Sequence, residues 1–353
     1  PSLSNSSISS GRMLTGIARS PLSGIVELYY ATYTISILTS LRGRHHFHRL
    51  TPEGVGKGVE YFRRAIERDR DYALAWVGLT DCYNYLAKRA EAREAAVRAL
   101  ELDDQMAEAR ASLAFHRFLY DWDFQGAERE FRRALELNPN YAEAHHWYAI
   151  YLANLARHGE ALREARRAEE LDPVSPLMCM TPGLAFFCAR TWDEALEEFR
   201  KVADLDPHFM PARSLLGHVY EQKGMYEKAL AEYARVVEVV GEETEPALTI
   251  KAAVGRIEAR RGRKSEARKI AAELSQSQHL NVLTYFIAAI HAALGEKDQA
   301  FEWLDRACES HNLALLSLKI DPNFALFHTE RRFADLLERI GFEPQPVLTG
   351  GGG

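Results

Sequence analysis

A small residue returns on one beat through most of this chain: Gly58, then Ala92, Ala127, Ala161, Ala195, Ala229, Ala267 and Ala300, at intervals of 33 to 38 residues and most often 34. A period of that size specifies a supersecondary unit repeated and stacked into a solenoid. The 353 residues are 47% hydrophobic, enough for a continuous core spread along such a stack.

Other residues keep the same beat. Four positions after the small residue stands a large ring, at Phe62, Phe131, Phe199 and Tyr233, and twelve positions after it a proline, at Pro139, Pro173 and Pro207. Upstream, Trp76, Leu79 and Tyr83 form W-x2-L-x3-Y, and Leu216, Gly217 and Tyr220 form L-G-x2-Y. With these slots filled in register, the chain resembles the tetratricopeptide (TPR) family, whose unit is two antiparallel helices per about 34 residues. The fold that follows is all-α: a right-handed alpha-alpha superhelix, or TPR solenoid, of about eight helix-turn-helix repeats plus a C-terminal capping helix. Each slot has a physical role. Small residues let two helices cross closely, larger apolar ones fill the grooves between ridges, and proline ends the second helix while suiting entry to the next.

Four regions follow. Residues 1–38 are a Ser-rich disordered or linker segment, 39–314 hold eight repeats, 315–341 form the capping-helix region, and 342–353 are a flexible tail ending in glycines. The apolar stretch Gly24 to Leu41 is interrupted by Glu27 and by Ser, Thr and Tyr, which argues against a membrane span. Repeat three carries one extra residue near Tyr120-Asp121-Trp122-Asp123. In the cap, Thr329 opens an amphipathic pattern of Phe333, Leu336, Leu337 and Ile340, and Gly341 closes it.

Chemistry is harder to find. The P-loop, dinucleotide, nucleophile-elbow and H-E-x-x-H patterns do not occur. Carboxylates fall on the outer faces of second helices, as in Glu128-Arg-Glu-Phe-Arg-Arg133, where ion pairs with basic residues explain them. His45, His46 and His48, and the adjacent His145 and His146, lack the spacing that lets helical residues share a metal. Cys82, Cys179, Cys188 and Cys308 form no C-x2-C pair and suit buried thiols of a reducing, cytoplasmic setting. The net charge of -6 gives no footprint for nucleic acid or an anionic membrane. No enzyme, cofactor or metal is expected.

The surface left for function is the concave groove lined by first helices. Projecting the repeat places Val77, Asp81 and Asn84 there, then Ala111, Phe115 and Phe118, then His146, Ile150 and Asn154. Met180, Leu184 and Phe187 follow, then Ser214, His218 and Glu221, and last Ala252, Arg256 and Arg260. Such a lining suits a protein or peptide partner that buries apolar side chains, with the two arginines available for an acidic group. The aromatic members could equally be inter-repeat core, since one position of phase separates groove from core. A related clamp for chaperone C-terminal carboxylates is not expected, because its lysine slots hold Val77, Ala111, His146 and Met180.

Leu41-Arg-Gly-Arg-His-His46, Tyr120-Asp-Trp-Asp123, His145-His-Trp-Tyr148 and Lys319-Ile-Asp-Pro322 are similar to the TPR halves of large bacterial regulators, over roughly 41 to 341. That resemblance implies a bacterial interaction module, or the regulatory half of a signalling enzyme or transcription regulator. Winged-helix, kinase or cyclase domains would then lie outside this sequence.

Overall fold

The computed structural model describes residues 21–342, with side chains from residue 34 onward. The serine-rich start, residues 1–20, and the glycine tail from 343 lie outside the described residues. Helices come in antiparallel pairs. The first four pairs are α1 (Pro21–Phe47) with α2 (Pro52–Arg68), α3 (Ala73–Tyr85) with α4 (Arg89–Leu102), α5 (Ala107–His116) with α6 (Phe124–Leu137), and α7 (Ala142–Asn154) with α8 (His158–Leu171). Then come α9 (Pro176–Cys188) with α10 (Trp192–Leu205) and α11 (Met210–Gln222) with α12 (Tyr226–Val240). The last pairs are α13 (Glu245–Arg260) with α14 (Lys264–Leu274) and α15 (Leu280–Leu294) with α16 (Lys297–Glu309). The capping helix α17 (Arg331–Arg339) lies on α16. Residues 21–38, expected as linker, are the first part of α1 instead.

Burial separates the two members of a pair. Inner α7 buries Ala144 through Ala149 and Tyr151 through Asn154, so it is enclosed nearly all round. Outer α8 buries only Ala161, Ala165 and Ala168, one stripe at i, i+4 and i+7 facing the stack. The beat residues Ala92 to Ala300 are all fully buried, as helix crossings require. The ring four positions later presses on a glycine of the inner helix. A Cβ added at Gly183 would meet the Phe199 ring at 2.5 Å, and Gly217 faces Tyr233 as closely. At both places only hydrogen leaves room for the aromatic.

Starts and stops are local chemistry. The Thr51 hydroxyl accepts the Gly54 N–H at 3.0 Å, and an Asp123 carboxylate oxygen accepts the Gly126 N–H at 2.8 Å. Inner helices end in a left-handed residue that turns the chain back: Ala87, Trp122, Ala156 and Arg190 with φ between 52° and 63°, then Gly224, Gly262 and Gly295. The extra residue of repeat three is absorbed as a π-turn, Arg117–Asp121, before Trp122.

Beyond α16 the chain leaves the repeat pattern and crosses the concave side. Two 3-10 turns, Leu313–Ser317 and Pro322–Phe327, carry it back toward the first half of the stack. One contiguous core joins residues of α5 to α9 with residues of α15, α16 and the returning segment. The solenoid therefore closes on itself. Phe342 packs on Phe124 with ring centres 4.9 Å apart, and the Trp122 ring lies 4.5 Å from His311. Arg89 completes the clasp by donating to the His311 carbonyl at 2.9 Å while its guanidinium covers the Tyr120 ring. No helix among the described residues is long and apolar enough to cross a membrane.

Candidate functional site

The concave wall has two halves. In the first, α1, α3, α5 and α7 gather charge away from water. Arg44 donates to Glu143 at 3.1 Å, and Ser112 donates to Asp81 at 2.6 Å. Burial pushes the Asp81 carboxyl up to about 6 against the opposing pull of Arg44. For Glu143, burial also acts upward, but His48 and Arg44 overcome it and hold the carboxyl down at about 2. His146 stands beside this cluster, giving or taking a hydrogen bond with Thr181 at 2.6 Å, and burial lowers its pKa to about 4. A cavity of about 270 Å³ opens here between Phe115, Trp147 and Leu313.

The second half centres on Glu221. Its carboxylate accepts two hydrogen bonds from Arg256, both 2.9 Å, one from Arg260 at 3.1 Å and one from the Tyr233 hydroxyl at 3.1 Å. Burial pushes this carboxyl up, and Arg256 more than reverses the effect. The two arginines expected to await a partner's acidic group are thus committed inside the protein. Arg256 is only 2% exposed. Glu221 and the two arginines project to the same face from 35 and 39 positions apart, but the sequence carries no sign that one carboxylate would reach both.

Several expected groove residues lie in the core. Val77 and Ala111 are fully buried, and Phe118 packs against Phe124 and Tyr151. Here the alternative held open for the aromatics applies, because the π-turn rotates Phe118 inward. Asn84 holds the His116 ring at 2.9 Å and is buried, as is Met180. Phe115 is half-buried and stacks on Trp147 at 5.3 Å. Ile150, Asn154, Leu184, Phe187 and His218 do line the concave side, together around a cavity of about 380 Å³.

That cavity is roofed by the returning segment, which the inner wall grips along its length. Ser317 donates to Asn154 at 2.9 Å, Arg190 donates to the Ile320 carbonyl at 3.1 Å, the Tyr285 hydroxyl donates to Asp321 at 2.6 Å, and Arg260 donates to Asn323 at 2.7 Å. Arg190 and Tyr285 were not singled out from the sequence, and of the segment only Lys319 to Pro322 was noted, as a motif of resemblance and not as a groove contact. The one available signal was Asn312 and Asp321, side chains that cap the two 3-10 turns.

Family models of the tetratricopeptide repeat match residues 130–163 and 189–254. Protein bimA of Emericella nidulans is 33% identical over 107 residues, 30% of this chain and 13% of that protein. Anaphase-promoting complex subunit 3 of Schizosaccharomyces pombe is 22% identical over 171 residues, 48% of this chain and 25% of that protein. The chain spans at most a quarter of the length of these two relatives. Both are fungal, and they lend no support to the bacterial-regulator resemblance. Among solved structures, the human IFIT1 dimer with PPP-AAAA has a TM-score of 0.52 at 15% identity, covering 73% of this chain and 69% of that one. An IFIT1 monomeric mutant with Gppp-AAAA gives 0.55 at 14% identity, covering 77% and 71%. At such identities the likeness is one of fold. The two family matches, both falling within the stack of helix pairs, show tetratricopeptide repeats over residues 130–163 and 189–254.

Proposed function

We propose that this chain is a non-catalytic scaffold whose concave groove holds a short, largely unpaired segment of a partner protein. Repeats of this family mediate protein–protein interaction, and one curated relative is by name a subunit of a complex. The observation that carries the reading is the returning segment, residues 311–323. It is a non-repeat stretch held against the stack through the carbonyls of His311 and Ile320 and the side chains of Asn312, Ser317, Asp321 and Asn323. That is the manner in which a groove captures a peptide: a few polar contacts fix register while apolar side chains fill pockets. In this form the segment occupies the site in cis, so a partner must displace it. Four unpaired thiols among the described residues support a reducing setting for the encounter.

The test is a labelled peptide of residues 311–327, followed by fluorescence anisotropy against the full chain and against Trp122→Ala/Phe342→Ala. The double variant opens the clasp and leaves the groove residues intact. It should bind the peptide at least tenfold more tightly than the wild type, and adding Arg190→Ala should reverse most of the gain. A loosened chain that keeps its helicity and ignores the peptide would end this reading.

A further inference from the structure

The chamber beneath the returning segment has chemistry of its own, and a partner peptide cannot use it while the segment forms its roof. At about 380 Å³ it falls within the range typical of small-molecule sites, roughly 300–1,000 Å³. Its wall is mostly carbon, with Ile150, Leu184, Phe187 and Phe286 below and Ile320 above. At its polar end the lining holds one guanidinium, Arg256, and one carboxyl, Asp321, with Glu221 and Arg260 bonded behind the wall, so the two acids and two arginines sum to zero charge. They are already engaged: both arginines on Glu221, Arg260 also on Asn323, and Asp321 on the Tyr285 hydroxyl. A charged ligand entering here would lose its water and gain no uncommitted counter-ion.

His218 adds a directional contact. Its Nδ1 lies 2.8 Å from the Ser214 carbonyl oxygen, which only accepts, so Nδ1 carries a proton. Burial drives the ring pKa down to about 4 and keeps the imidazole neutral. Its Nε2 therefore carries a lone pair, an acceptor on a ring that lines the chamber.

We propose that this chamber binds a small uncharged molecule with an apolar, ring-sized body and a single hydroxyl or N–H donor directed at Nε2 of His218. The ligand would touch wall and roof together and so hold the returning segment down. The proposal does not depend on the peptide reading, since it concerns the closed form alone.

N-phenyl-1-naphthylamine, a neutral aromatic amine with one N–H that fluoresces in apolar surroundings, is the probe for titration of the full chain. Its anilinonaphthalene sulfonate analogue, with similar rings and a negative charge, is the comparison. The amine should bind saturably at one site, at least tenfold more tightly than the sulfonate. Ala289→Phe, which fills the chamber, should abolish that binding, and His218→Phe should weaken it about tenfold, as loss of one good hydrogen bond does. Ala153→Leu is a second filling variant, with circular dichroism confirming helicity for each. The proposal is overturned by absence of saturable amine binding, by tighter binding of the sulfonate, or by unchanged binding in a folded filled variant. Should both filled variants lose helicity, full affinity in His218→Phe overturns it as well.

Discussion

Asp81 carries the clearest energetic signature of any single side chain. Its carboxyl, 4% exposed, titrates near 6 in the fold against an ordinary value of 3.8. The folded state thus binds the proton more tightly than the unfolded one. Stability from this group is fully present below pH 3.8 and is lost as pH rises through 6, leaving the ionised form a burden at neutral pH. Asp81→Asn keeps an acceptor for Ser112 and removes the charge. It should raise stability by about 1–3 kcal/mol at pH 7.5, and the gain should vanish by pH 4. Urea unfolding of both proteins at the two pH values measures this, and a gain that persists at pH 4 would assign the effect to packing instead.

At the scale of elements, the turn after each inner helix offers a second measurement. Ala156 is exposed and sits at φ 63°, where a Cβ is disfavoured and where later repeats carry glycine. Ala156→Gly should stabilise the chain by about 0.5–1 kcal/mol, the relief of left-handed strain outweighing the added freedom of the unfolded chain. A lower melting temperature for the variant would contradict it. The repeat helices were legible because a beat residue, a ring four later and a proline twelve later are all local signals of one crossing. The groove was legible only in part. Phase along an inner helix can be projected, but the π-turn that swings Phe118 into the core depends on one inserted residue. The pairing of Glu221 with Arg256 spans 35 positions and lies between repeats, where the period says nothing about partners.

For the whole molecule, the decisive contacts are those of the returning segment, which no repeat template contains. Arg89 and the His311 carbonyl are 222 positions apart, and Asn154 and Ser317 are 163 apart. Opening the clasp by Trp122→Ala/Phe342→Ala should leave helicity unchanged. It should also speed hydrogen exchange of amides in 312–327 by at least tenfold while amides of α8 and α10 stay protected. Uniform acceleration across the stack would instead mean that the rings support the repeats themselves.

Closure also fixes how many units this stack can have. A linear solenoid tolerates gain or loss of a repeat, because each unit answers only to its neighbours. Here Trp122 of the third helix pair must meet His311 just past the eighth pair, and Phe124 must meet Phe342. Insert or delete one helix pair between them and the superhelix delivers the end of the chain to the wrong place. The clasp therefore acts as a ruler: a duplication that an open array would absorb silently would, in this protein, leave both ends of the closure exposed.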